Sequence, residues 1–259
     1  MLSSITDYTT EPLRIVSLVP SQTELLFYLG LDEQVVGITK FCIHPASGVK
    51  TKPTIGGTKN INLEKIKELN PTLIIANKEE NVKEQVEELA KDYLVWLTDV
   101  NNLPDALKMI TNIGMLTGKA DEAGRLSDNI ISQFASIVPA KKKISCCYLV
   151  WRHPYMTVGG DTFINDMLQH CGLQNKYAAK ARYPEINIDE LSADGCDLLL
   201  LSSEPYPFKQ SHMDQLRALL PATKIILVDG EPFSWYGSRL LQAPGYFNLL
   251  LSSINSAAG

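Results

Sequence analysis

No run of apolar residues here approaches the length of a bilayer-spanning helix, about 18 residues or more, so the chain is not expected to span a membrane. Basic charge is short as well. Lys and Arg number 24 against 29 Asp and Glu, a net charge of −5, which argues against a nucleic-acid partner, where a basic face is the rule. The one basic run, Lys141-Lys142-Lys143, precedes a predicted strand and reads as a solvated linker. Neither GxxxxGK[ST] nor GxGxxG occurs, so Gly56-Gly57-Thr58-Lys59 reads as a flexible loop and not a phosphate cradle. The histidines are His44, His153, His170 and His212; with no HExxH and no Cys/His cluster, no metal site is expected. Gly237-Ser238 lacks the GxSxG elbow, and no cysteine sits in a catalytic signature, so no catalytic residue is assigned. Cys42, Cys146, Cys147, Cys171 and Cys196 form no disulfide framework. They read as reduced, buried thiols, which suits the cytoplasm. The N-terminal MLSSITDYTTEP has neither a basic nor an apolar region, so no secretory signal is read there. The expectation is a cytoplasmic protein, or a periplasmic one if a leader has been removed.

What is present is α/β grammar. At 259 residues the chain is long enough for one large domain or two. RIVSLV (14–19) reads as a buried strand, and residues 21–24 (SQTE) have the form of a capping box for a helix over 22–29 that stops at Gly30. Strand 35–39 follows, then helix 63–69 capped by Asn62, strand 73–76, helix 82–91 capped by Asn81, and strand 93–97. That alternation predicts a parallel sheet covered on both faces.

The second half repeats the first. INLEKIKELNPTLIIAN (61–77) and INIDELSADGCDLLLLS (186–202) align without a gap. Each opens Ile-Asn-apolar-acid, forms a short helix, breaks at Pro71 or Gly195 and enters an aliphatic strand. Flanking strands and helices correspond in order. Between the halves lies 103–138, broken at Gly118, where Ala123, Leu126, Ile130, Phe134 and Ile137 mark one helical face. Residues 119–138 would run about 30 Å at 1.5 Å each. The reading is two Rossmann-like lobes with parallel sheets joined by one long α-helix: lobe 13–118, connecting helix 119–138, lobe 139–259.

In open parallel sheets ligands meet the loops beyond the carboxyl ends of strands. Those loops hold Trp151, Arg152, His153 and Tyr155; Tyr183; Tyr206 and Phe208; Phe233, Trp235 and Tyr236; the first half adds Pro20, Ser21, Phe41, His44 and Asn77. Prolines stiffen them, and aromatics give broad contact with a polar edge. Four such loops in one half indicate a cleft for a large, partly flat ligand with polar edges. Arg152 is the first choice for orienting a carboxylate, amide or phosphate. The competing reading makes the large aromatics core residues and His170 a structural helix residue.

RIVSLVPSQTELLFYLG, VVGIT and GGTKNINLEKIKELNPTLIIAN, with YMTVGGDTFINDMLQHCG and INIDELSADGCDLLLLS, resemble the Fe/B12 periplasmic-binding domain. These are the cobalamin and iron-chelate solute-binding proteins of ABC importers, of helical-backbone metal-receptor type. The likeness covers about 13–253 and is nearest the cobalamin branch. It implies a non-enzymatic monomer that clasps a corrinoid or other metal chelate between its lobes and needs no cofactor of its own. Its partner would be an importer permease. By motif, the contacts would fall at Pro20, Ser21, Phe41 to Pro45, Gly57, Thr58, Trp151 and Arg152, with the loops at 204–208 and 233–236 on the second rim. Family members dock on permease arginines through a surface glutamate on each lobe; the aligned residue of the first lobe is Lys83, flanked by Glu80 and Glu84. An iron-siderophore or haem binder, or an intracellular corrinoid-handling factor or enzyme on the same fold, are the alternatives.

Overall fold

The computed structural model describes residues 12–256; the N-terminal stretch read for a signal therefore lies almost entirely outside the described residues. The chain divides into two compact units. Unit 1 takes the chain up to Val100, then Pro104–Ile130 and Trp235–Leu241; unit 2 takes Asn101–Leu103, Ile131–Ser234 and the chain from Gln242.

Unit 1 contains β1 (Ile15–Ser17), α1 (Pro20–Tyr28), β2 (Val35–Ile38), α2 (Ala46–Val49), α3 (Leu63–Leu69), β3 (Leu73–Asn77), α4 (Lys83–Asp92) and β4 (Val95–Thr98). Its sheet is wholly parallel in the order β2-β1-β3-β4. β1 and β3 are the inner strands, and every residue of both is buried, as their unbroken aliphatic runs require. Val16, Leu18, Ile66, Ile74, Val86 and Leu89 form one continuous core from strands and helices.

The linking region resolves into α5 (Leu103–Leu116) and α6 (Ala120–Phe134). Gly118, with φ +70°, makes the turn between them in a conformation that glycine adopts without strain. α6 has 15 residues and so runs about 22 Å, shorter than residues 119–138 would give. The predicted face is real: Ala123, Leu126, Ile130 and Phe134 are buried. The boundary between the units falls inside this helix, after Ile130.

Unit 2 contains β5 (Ile144–Leu149), α7 (Phe163–His170), β6 (Leu173–Asn175), α8 (Ile188–Asp194), β7 (Leu198–Ser202), α9 (Gln210–Leu219), β8 (Lys224–Val228), α10 (Glu231–Ser234) and α11 (Ala243–Ser256). Its sheet order, β6-β5-β7-β8, again all parallel, is the order of the first sheet with each strand moved on by four. The ungapped repeat is thus a repeat of topology. Asn62 caps α3, its side chain accepting the Lys65 N–H at 3.0 Å, and the aligned Asn187 caps α8, accepting the Asp189 N–H at 2.8 Å. Ile66 and Leu191, also aligned, are fully buried.

Four elements escape the sequence pattern, the first being α2, a single turn of four residues. β6 is a three-residue edge strand of Leu, Gln and Asn, too short for alternation to register. α10 is a single turn. α11 has no predicted counterpart, although Phe247, Leu250, Leu251 and Ile254 bury a clear face.

If the repeat is energetic as well as topological, Asn62→Ala and Asn187→Ala should each cost about 1 kcal/mol. With the two caps in separate units, the double variant should lose the sum. Urea unfolding followed by circular dichroism measures this; a negligible loss at either position would show that cap to be incidental.

Candidate functional site

Unit 1 builds its loop face from the start of α1. Pro20 occupies the first helical position and Val19 stands before it, extended and without a side-chain cap. A missing N–H costs nothing there, so the helix starts two residues earlier than the capping box requires, and the box does not form. Ser21, Gln22 and Glu24, inside the helix, are free for other partners. Gln22 Nε2 donates to Thr98 Oγ1 at 2.6 Å. Glu24 accepts two bonds from Arg239, at 2.6 and 3.0 Å.

Asn81 does not cap α4 either, since Val82 precedes that helix with no side-chain bond. Its amide instead donates to the carbonyls of Leu18 (3.2 Å) and Thr58 (3.1 Å), and its Oδ1 accepts the Asn77 N–H at 2.8 Å. Asn77 Nδ2 donates to the carbonyl and hydroxyl of Thr98, both at 3.1 Å, while its Oδ1 accepts the N–H groups of Glu79 (2.8 Å) and Glu80 (3.1 Å). This buried network fixes the Gly57-Thr58 loop. Within the loop read as flexible, Gly57 and Thr58 are buried and Lys59 is exposed, with Gly57 N–H to the Asn60 carbonyl at 2.9 Å and Asn60 N–H to the Gly57 carbonyl at 3.3 Å. Beside it Phe41 is 50% exposed, with the Lys40 ammonium 5.0 Å from its ring centre.

Trp235 and Tyr236, read from the sequence as second-lobe rim residues, belong to unit 1 and are buried there. Gly237, at φ +122°, brings the backbone against α1; a Cβ there would lie 3.1 Å from the Ser21 carbonyl oxygen. His44 meets Trp235 edge-on, with centroids 5.4 Å apart, and the Arg239 guanidinium lies 5.3 Å from the same indole. Burial pushes the Tyr236 phenol well above its ordinary value; the charges of Glu80 and Glu79 add to this and hydrogen bonding with Ser21 opposes it.

In unit 2 the chain turns back directly after β5. Val150 N–H reaches the Met156 carbonyl at 3.0 Å and Met156 N–H the Trp151 carbonyl at 3.1 Å. Thr157 N–H to the Pro184 carbonyl (3.0 Å) and Ile186 N–H to the Tyr155 carbonyl (2.9 Å) bring the Tyr183 segment alongside. Trp151 is 41% exposed and meets Tyr206 edge-on at 5.7 Å. Arg152 donates to Gln215 Oε1 at 2.8 Å, and hydrogen bonding with Tyr155 and then Tyr206 holds the guanidinium above its ordinary value. Tyr183, half-buried, lies 5.8 Å from the Arg182 guanidinium. Tyr155 and His153 also line an open hollow of about 590 Å³ with Glu185, Asp189 and Glu190.

Two expected rim residues are core. Phe208 packs in the cluster of Leu199, Leu216 and Ile225. Phe233 is fully buried, with Tyr148 at 5.2 Å and Phe247 at 4.8 Å. Neither presents surface to a ligand. A large aromatic just after a strand gains more by folding back on the sheet than by facing water.

Sequence reasoning missed Gln22, Thr98, Glu24, Arg239, Gln215 and His212 as builders of these faces. The Glu24–Arg239 pair spans 215 positions, and no local pattern announces such a partner. The five cysteines are free and buried. Burial pushes Cys147 and Cys171 up to about 12 and raises Cys42, where the hydroxyls of Thr23 and Thr39 oppose the effect; thiols so protonated are poor nucleophiles. Among the described residues no group of three or more His, Cys, Asp and Glu is placed to hold a metal, and no helix is long and apolar enough to cross a membrane.

A sequence profile described as periplasmic binding protein matches residues 15–224. An uncharacterised ABC transporter substrate-binding lipoprotein of Bacillus subtilis, YvrC, is 31% identical over 65% of this chain; the match spans 56% of that relative, little more than half its length. A vitamin B12-binding protein of Vibrio vulnificus is 26% identical over 69% of this chain and 67% of its own. Among solved structures, the periplasmic vitamin B12-binding protein BtuF of Vibrio cholerae superposes with a TM-score of 0.74 at 19% identity, covering 93% of this chain and 97% of that one. The periplasmic haem-binding protein HutB of the same organism superposes with a TM-score of 0.76 at 22% identity, covering 92% and 98%. At these identities the two structures establish the shared fold.

The side chains of Arg239 and Glu24 are only 14% and 16% exposed, so Arg239→Met should destabilise unit 1 by about 2 kcal/mol, the worth of hydrogen bonds to a charged group. Adding Glu24→Gln should recover part of that loss by removing the stranded charge. Urea denaturation monitored by tryptophan emission reports both, and equal stability of wild type and Arg239→Met would show the pair to contribute nothing.

Proposed function

The chain belongs to the periplasmic binding protein family, and on that premise we propose that it is a non-enzymatic solute-binding protein for a corrinoid such as cobalamin, serving an ABC-type importer. The observation that carries the ligand class is the unit 2 face: an exposed indole at Trp151, a guanidinium at Arg152 fixed by Gln215, and the phenols of Tyr155 and Tyr206 beside it. Such a surface suits a broad, flat molecule with amide or carboxylate groups at its margin, because the rings supply apolar contact and the planar fork orients the polar edge. Unit 1 by itself carries Phe41, half exposed beside the Gly57-Thr58 turn, and His44 beside Trp235. Relatives described as vitamin B12-binding proteins support this choice.

Haem or an iron–siderophore complex is the second reading. It is favoured by His44, a half-buried imidazole of the kind that ligates haem iron, and by neighbours described as haem-binding. Delivery to an importer places the protein outside the cytoplasmic membrane, in keeping with relatives described as periplasmic or as a lipoprotein, and against the cytoplasmic expectation drawn from the thiols. The permease would be met by the α4 end of unit 1, where Lys83, the residue aligned with the docking glutamate, is exposed and lies 3.7 Å from Glu87.

Titration of the full chain with cyanocobalamin and, separately, haemin tests this through tryptophan emission and the thermal midpoint. At ligand about 100-fold above Kd the native state should gain about 2.7 kcal/mol. Arg152→Ala should weaken binding about ten-fold or more and Phe41→Ala several-fold, about 1.4 kcal/mol corresponding to each factor of ten. Absence of any shift with either compound or with ferric siderophores would sink the reading.

A further inference from the structure

α9 starts at Gln210, and its N-cap is Lys209, a residue whose side chain has three donors and no acceptor. The Lys209 N–H instead finds the imidazole of His212, donating to Nδ1 at 3.0 Å. A ring nitrogen that accepts a hydrogen bond carries no proton, so the cap requires His212 neutral with its hydrogen on Nε2. That Nε2 stands 3.4 Å from the Tyr206 hydroxyl. The same ring packs on Tyr206, with centroids 5.5 Å apart, and edge-on to Phe208 at 5.8 Å. Tyr206 in turn carries the edge contact to Trp151 and stands close enough to Arg152 to favour its charged form. One imidazole therefore joins the first turn of α9 to the aromatic and cationic groups of the unit 2 face.

The titratable and charged groups around His212 are Arg152 and His153 from the turn after β5, Tyr206 from the loop after β7, and Lys209 at the helix start. No carboxylate is among these groups, so none of them compensates a proton. Protonation would set a donor against the Lys209 N–H and add a second positive charge beside Arg152. Desolvation first, and then Arg152, Lys209 and His153, hold the imidazole below its ordinary 6.5. The neutral form is thus the one the fold favours. Its contribution is complete above 6.5 and is lost as pH falls through the depressed folded value.

Resting on the binding role proposed above, we infer that His212 is a positioning residue for the Trp151–Arg152–Tyr206 face, and that its protonation releases Tyr206 and weakens the hold on a flat, acid- or amide-edged ligand. Binding would be tight at neutral pH and relaxed in acid, without His212 touching the ligand.

The experiment uses the full chain as wild type, His212→Gln and His212→Ala, titrated with cyanocobalamin and with haemin from about pH 8 down to about pH 5. In parallel, the Lys209 amide of the free protein is followed by NMR over the same range. Wild-type affinity should fall with acid, approaching about ten-fold per pH unit below the folded His212 value. His212→Gln, whose Oε1 can accept the Lys209 N–H without titrating, should keep near-neutral affinity and lose the slope. His212→Ala should bind weakly at every pH. The Lys209 amide should titrate once in wild type and not in His212→Gln. A wild-type slope retained in His212→Gln, or a Lys209 amide indifferent to pH, overturns the proposal, and the glutamine variant decides even if the alanine variant fails to fold. Failure of both compounds to bind wild type at any pH overturns the ligand reading alone, because the amide titration judges the positioning role without ligand.

Discussion

At the carboxyl end of a parallel strand the backbone leaves the ladder, and its polar groups must find other partners while still buried. Each sheet here meets that demand with a polar residue at the last position of its third strand. Asn77 ends β3 and gathers Thr98, Asn81, Glu79 and Glu80 around it. Ser202 ends β7, accepts the Tyr148 hydroxyl at 3.0 Å and donates to the Glu204 carbonyl at 2.6 Å. The two residues align in the internal repeat, yet they differ in reach. Asparagine, with two donors and a carbonyl, can order an entire loop, including the Gly57-Thr58 turn through Asn81; serine orders only the start of the next one. The loop faces above the two sheets therefore differ in kind although the sheets share one topology.

Much of that topology could be read from the chain because the signals are local. β-branched and aliphatic runs, Asn62 and Asn187 before short helices, and glycine or proline after them recur at matched spacing, and such patterns need no knowledge of the distant chain. The failures share a cause as well. Pro20 shifts a helix start by two residues and turns an expected capping box into three long-range donors and acceptors. Asn81 serves two carbonyls, one of them 63 positions away, in preference to the helix beside it. In both places a tertiary partner outcompeted a local motif worth about 1 kcal/mol. The loop aromatics divide for another reason: Trp151, Phe208, Phe233 and Trp235 all follow strands, and nothing in composition separates the exposed first from the buried others. That choice is made by where the rest of the chain leaves room.

The return of Trp235–Leu241 to unit 1 is the clearest case of information absent from local sequence. Two contacts with α1 secure it, the two-bond Glu24–Arg239 pair and the close approach of Gly237 to Ser21, while Arg239 lies over Trp235 within the segment itself. Each is modest by itself. They act on one short segment, so each shortens the conformational search of the next. His44 then inherits a fixed edge on which to rest.

Rigidity of this kind bears directly on what the faces can do. A side chain immobilised before binding has already lost its rotamer freedom, a loss of about 0.5–1.5 kcal/mol that would otherwise oppose association. Trp235 and Tyr236 are held in the fold of unit 1, and Arg152 is held by Gln215 and the neighbouring phenols in unit 2. Trp151 and Phe41 are the half-exposed rings of the two faces, and they remain the side chains with entropy still to lose. A ligand broad enough to cover either ring gains the apolar contact that offsets that cost, whereas a small polar solute would restrain the ring and bury little in return. On the proposed binding role, the division between fixed and free side chains would favour size and flatness before any specific hydrogen bond is made.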